Sequence, residues 1–145
     1  MEIYTTGFTQ KTAATFFETL KKAGIRQLLD IRLNNSSQLA GFAKRSDLAY
    51  FLKEICAAAY LYEPLLAPTQ EILDSYRKEK KGWPNFEKEM LALLAERKIE
   101  EKIDPALFEK PTVLLCSELT AEHCHRRLVA EYLQQHWGNI QITHL

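Results

Sequence analysis

TVLLCSELTAEHCHRRLVAEYL, residues 112–133, changes its hydrophobic pattern part-way along. Its first five residues form a short apolar run of the kind that fills a strand buried on both faces. Further on, Leu128, Val129, Tyr132 and Leu133 recur at helical spacing, the stripe of a helix that packs one side on a core. A buried strand feeding such a helix is half of a βαβ unit, and βαβ units build parallel sheets.

The same alternation extends in both directions. EIYT (residues 2–5) reads as a strand ending at Gly7. A helix follows with Ala13, Phe16, Phe17 and Leu20 on one stripe and Gly24 as its stop. RQLLDI (residues 26–31) is the next strand. After a loop through residues 36–46, Ser46 is placed to cap a helix carrying Leu48, Leu52 and Ile55 inward, with Cys56 in the core. A third strand falls around Tyr60 to Tyr62, and Thr69 caps a helix running to Lys80 with Ile72, Leu73 and Tyr76 inward. Gly82 and Pro84 open another helix, predicted to reach Ile103. NIQITHL closes the chain as a strand. The expected fold is α/β: one domain over residues 1–145, three-layered and Rossmann-like, with a mostly parallel sheet and helices on both faces.

The bulk properties exclude several classes. At 145 residues, 46% apolar and 26% charged, the chain has the make-up of an ordinary globular domain. No apolar run approaches the roughly 20 residues that span a bilayer, so no membrane partner is expected. No basic-then-apolar leader opens the chain, which points to a cytoplasmic address. Basic and acidic residues balance at 19 each, so net charge does not indicate nucleic acid. The basic run at residues 77–81, before Trp83, is the one local patch that would touch it, and such runs are usually solvated helix ends. Three cysteines, without an export signal, read as reduced thiols.

In a parallel sheet, ligands bind beyond the carboxyl ends of the strands. Those ends carry Thr6-Gly7, Asp30 with Arg32, and Cys116 with Glu118. Asp30 and Arg32 alternate, so they face one side and are expected to pair; the acid could serve as base or ribose acceptor, the arginine as anion clamp. In the last helix Thr120 is the expected N-cap, with Glu122 in the first turn. Cys124 then lies where the helix field favours a thiolate. His125, one turn back from the apolar stripe, turns inward, and Arg126 reaches over the site from its rim. Arg127 and Glu131 make a surface pair. A cysteine phosphatase would close its anion loop with an arginine where this chain has Glu122, so that reading is poor. TTGFT lacks the glycine-rich cradle of dinucleotide or P-loop patterns.

Cys116, His123, Cys124 and His125 are suitable zinc donors. Neighbours on one helix point about 100° apart, so His123, Cys124 and His125 are not expected to converge, and no metal site is predicted.

With those residues in view, the chain resembles the family known as domain of unknown function 488. The likeness rests on Thr6-Gly7, on AGI and LLDIR with Asp30 and Arg32, on Ser36 and Phe42 of the following loop, and on CSELTAEHCHR. That family's pattern includes Cys116, Glu118, Cys124, His125 and Arg126. The resemblance implies a Rossmann-like α/β fold with a shared polar pocket, and no particular reaction.

Two functions follow as expectations. The first is an enzyme, a hydrolase or transferase acting on a phosphate-bearing nucleotide or nucleic acid. Asp30, Glu118 and His125 would supply acid–base chemistry, Cys116 or Cys124 the nucleophile, and Thr6, Gly7, Arg32, Ser36 and Arg126 the ligand contacts. The second is a non-catalytic module that binds a small anionic or nucleotide-like ligand, with a thiol redox or metal sensor as a weaker third. No cofactor is indicated.

Overall fold

A computed structural model of the chain describes residues 1–35, 41–117 and 122–145. Five parallel strands form one sheet: β1 (Glu2–Gly7), β2 (Gln27–Asp30), β3 (Ala59–Tyr62), β4 (Thr112–Cys116) and β5 (Gln141–His144). The spatial order is β3-β2-β4-β1-β5. The last strand to enter the middle is therefore β4, inserted between β1 and β2.

Side chains alternate across the sheet with period two and divide the interior into two cores. Leu28, Val113 and Leu115 face α1 (Ala13–Lys22) and α2 (Arg45–Phe51), meeting Phe16, Phe17, Leu20, Leu48 and Leu52. Ile3, Leu29 and Leu114 face the other way. There they meet α3 (Gln70–Arg77), α4 (Trp83–Arg97), the short α5 (Ile99–Lys102) and α6 (His125–Trp137). The predicted α/β class and helices on both faces are thus observed, and the sheet is wholly parallel. Among the described residues no helix is long and apolar enough to cross a membrane.

Local chemistry explains most boundaries. Thr12 accepts the Thr15 N–H at the start of α1, and Thr69 accepts the Ile72 N–H at the start of α3. Gly24 takes the left-handed backbone (φ 71°) that turns the chain from α1 into β2.

Four expectations are corrected. Lys44, not Ser46, precedes α2, because the Asn35 carbonyl accepts the Arg45 N–H and stands in for a side-chain cap. The helix then widens into a π-type turn over Leu52–Cys56. The extra residue in that turn shifts the phase, leaving Ile55 37% exposed while Cys56 stays buried. The third helix ends at Arg77, short of Lys80. The fourth breaks at Lys98, whose left-handed backbone (φ 52°) separates α5 from it.

This topology sets the site. The chain leaves both β1 and β2 toward the α1/α2 face, whereas it leaves β4 toward α6 on the opposite face. Crossovers diverging from adjacent strands open a crevice at their carboxyl ends, and Cys116 ends β4 there. On the β1 side the crevice is closed, since the Ser117 carbonyl accepts the Thr9 N–H at 3.0 Å. It stays open toward β2.

Leu114 is fully buried at the centre of the sheet. Leu114→Ala is expected to cost about 2–5 kcal/mol in urea unfolding, whereas Tyr50→Ala, at a residue 62% exposed, should shift stability by no more than about 0.5 kcal/mol.

Candidate functional site

The strand-end residue Asp30 is completely buried, and Arg32 is nearly so. Their side chains pair through both edges: Arg32 Nε donates to Oδ1 at 2.8 Å and Nη2 to Oδ2 at 2.9 Å. The Arg32 backbone N–H also donates to Oδ1, and the Tyr60 hydroxyl donates to Oδ2. A carboxylate offers about four lone-pair positions, and these four bonds use them. Asp30 therefore holds a guanidinium in place; it has no lone pair left for a substrate proton. Burial, and then the bond to Asp30, push the Tyr60 phenol well above its ordinary range. Phe8 completes the clamp, its ring centroid 5.3 Å from the guanidinium carbon of Arg32.

His125 is the first residue of α6 and turns inward as expected, 6% exposed. Its Nε2 lies 2.7 Å from the Ile31 carbonyl and its Nδ1 lies 3.3 Å from Cys116 Sγ. A carbonyl can only accept, so the proton is on Nε2 and the Nδ1 lone pair faces the sulfur. Burial holds the imidazole pKa down to about 4, with the charge of Arg126 acting in the same direction. The ring is neutral at physiological pH.

Cys124 joins the pair. Its Sγ is bonded to that of Cys116 as a disulfide, with the two Cα atoms 7.3 Å apart, so the expectation of reduced thiols is corrected at these two cysteines. Together Cys116 Sγ, Cys124 Sγ and His125 place three donor atoms within 4.8 Å of one another, all buried. The helix therefore starts later than the sequence indicates: His125, rather than a residue after Thr120, opens it, and Glu122 is not in its first turn. Cys124 is the cap residue, with extended backbone (φ −139°, ψ 143°). The angular argument against convergence holds only for residues on one helix, so it does not apply to Cys124 and His125. His123 does stay apart; its ring stacks on Trp83 at 5.0 Å.

A small cleft of about 50 Å³ opens beside this trio. Its lining includes Arg32 and Asn34 after β2, Arg77 at the end of α3, and Cys116, Ser117 and His125. Arg77 was missed in the sequence because it begins a basic run; here it departs from Lys78–Lys81 and turns to the cleft.

Arg126 is not a rim residue. It is 1% exposed, and its charge is felt by Lys11 and His144 near the ends of β1 and β5. Lys11, also unforeseen, is partly buried and donates to Thr6 Oγ1 at 3.2 Å. Burial, and then Arg126, hold its ammonium pKa below the ordinary value. Thr6 is buried, and Gly7 pairs with Cys116 in the sheet register. Arg127 forms the expected surface pair with Glu131, 3.1 Å apart. Ser36, Glu118 and Thr120 lie outside the described residues.

A family model described as "Domain of unknown function DUF488" matches residues 12–133. No curated protein and no solved structure matches the chain significantly.

Removing the charge of Asp30 would strand Arg32 in the interior. Asp30→Asn is expected to lose about 3–5 kcal/mol of unfolding free energy, and Tyr60→Phe, which removes one bond to that carboxylate, about 1.5–3 kcal/mol; equal and small effects would contradict the clamp. At pH 5.5 an ordinary histidine is about nine-tenths protonated, whereas ¹⁵N shifts should show His125 neutral with its proton on Nε2. Because its folded pKa lies below the unfolded one, protonation favours unfolding. Its contribution is intact above about pH 6.5 and is lost as pH falls toward about 4.

Proposed function

The chain belongs to the family described as domain of unknown function DUF488, and we propose that it is an enzyme acting on a small phosphate-bearing substrate of the nucleotide class. The observation that carries this reading is the pairing of two guanidinium groups, Arg32 and Arg77, with Cys116 and His125 in one cleft. Guanidinium forks suit phosphate oxygens, and a fork already fixed by Asp30 loses little freedom on binding. The reactive groups, Cys116 and His125, lie at the same cleft, so an anion held by the arginines is brought to them.

Roles follow from the geometry. Asp30 and Tyr60 position Arg32. Arg77, more exposed, completes the anion contact from α3. His125 presents an unshared pair to Cys116, and Cys124 lies against the same sulfur. The space enclosed beside the trio, about 50 Å³, is well below the roughly 300–1,000 Å³ of sites that engulf a whole ligand, so it takes one small group such as a phosphate and leaves the rest of the substrate outside. A balanced net charge favours a small molecule over a nucleic-acid strand.

The test is a turnover screen of the full-length protein against nucleoside mono-, di- and triphosphates. Cys116→Ser and His125→Asn should abolish turnover, and Arg77→Ala, at an exposed position, should raise KM at least tenfold with the fold retained by circular dichroism. Nucleotide binding without turnover would replace the enzyme with a non-catalytic binding module. Turnover indifferent to Cys116→Ser and Arg77→Ala would remove the cleft as the site.

A further inference from the structure

We propose that Cys116, Cys124 and His125 together hold one divalent metal ion of the borderline-soft class, such as Zn²⁺, with its remaining coordination position facing the cleft. The inference uses the same Cys116 and His125 as the substrate reading above, here as ligands of an ion rather than as free reactive groups.

The donor set is the first support. Two cysteine sulfurs and one imidazole nitrogen are the ligand types that select zinc over the hard, oxygen-seeking cations. The three donor atoms lie within 4.8 Å of one another, from residues 5%, 2% and 6% exposed. For a tetrahedral ion with bonds of about 2.0–2.3 Å, donor atoms stand about 3.5–3.8 Å apart, so modest side-chain adjustment brings them into place. The 3.3 Å between Cys116 Sγ and His125 Nδ1 is already near that spacing.

The histidine is prepared for the task. A metal-binding imidazole characteristically donates its other N–H to a carbonyl or carboxylate, which sets the tautomer and aims the ring. His125 has that arrangement: the Ile31 carbonyl takes the Nε2 proton, and Nδ1 points at the sulfurs. Ile31 itself is held by the sheet, its N–H donating to the Leu115 carbonyl. The second shell is thus anchored in the same ladder that positions Cys116.

The backbone separation of the cysteines is the third support. Their Cα atoms are 7.3 Å apart, whereas direct disulfides usually span about 4.4–6.8 Å. The sulfurs meet directly in the structure, so the ion would take the reduced pair, with the two thiolates moving apart to receive it. Charge is consistent as well. Binding displaces the two thiol protons to solvent, so two thiolates and one dication form a neutral centre and no electron is transferred. Neutrality matters in a buried place that already feels Arg126 and Arg77, because an isolated charge there would be costly. Three protein donors with one open position is the arrangement of catalytic rather than structural zinc. The open side would meet the cleft that Ser117, Arg32 and Arg77 line.

The experiment uses the untagged full-length protein, reduced, incubated with Zn²⁺ or Co²⁺ and freed of excess. Elemental analysis should find one Zn²⁺ per chain, and the Co²⁺ form should show thiolate-to-cobalt charge-transfer absorption. Cys116→Ser and Cys124→Ser should each lose stoichiometric metal, whereas Cys56→Ser, at the buried cysteine in the other core, should keep it. Wild-type protein gives a readout that does not depend on the variants folding. A folded, reduced wild type that retains no metal, or a cobalt form without thiolate absorption, would overturn the proposal. Turnover is not read in this experiment, so metal failure leaves the enzyme reading to its own test.

Discussion

Thr112–Cys116 is bonded to β1 on one side and β2 on the other, and none of its five residues reaches solvent appreciably. A short strand with both edges paired has no register freedom without moving its apolar set to the wrong faces. That double pairing fixes the height at which Cys116 leaves the sheet. It also carries Ile31 into line through the Leu115 carbonyl, and Ile31 in turn orients His125. Strand order, cysteine position and imidazole tautomer are therefore consequences of one placement.

The interior beside that strand end is unusually polar, and each group there is supported in a way that offsets its burial. Asp30 is surrounded by donors, so its charge is compensated by Arg32 and Tyr60. Such pairs contribute little net stability over an apolar core, but removal of one partner is severe. The benefit is orientation: a guanidinium packed over Phe8 and held by two bonds cannot swing away from the cleft. His125 meets the same problem differently. It remains uncharged, with one nitrogen satisfied by backbone and the other turned to sulfur.

Legibility varied with the range of the interaction involved. The period-two and period-3.6 patterns located all five strands and the main helices, because amphipathicity records which side of each element is buried. Asp30 and Arg32 were expected to pair because alternation alone puts them on one face. Thr120 was misleading for the opposite reason: a good capping residue is only an opportunity, and the helix begins at His125 with Cys124 as its cap. The same shift buried Arg126 and removed the angular objection to Cys124 and His125 meeting. Ile55 missed its expected face because a π-type turn is invisible to a fixed helical period. Lys11 carried no local signal, and Arg77 showed only as the start of a basic run that reads as a solvated helix end; each matters through a neighbour far along the chain.

By itself, then, the amino-acid order determined the α/β class, the alternation of buried faces and the gathering of reactive residues at strand ends. These depend on contacts within one element or between adjacent ones, where spacing is enough. Only the tertiary structure decided that β4 enters between β1 and β2, that the crevice closes at Thr9 and opens toward Arg77, and that three donors converge on one point. Those outcomes depend on pairings between segments tens of residues apart. Such pairings are selected by the packing of both cores at once, a global constraint that no local pattern contains.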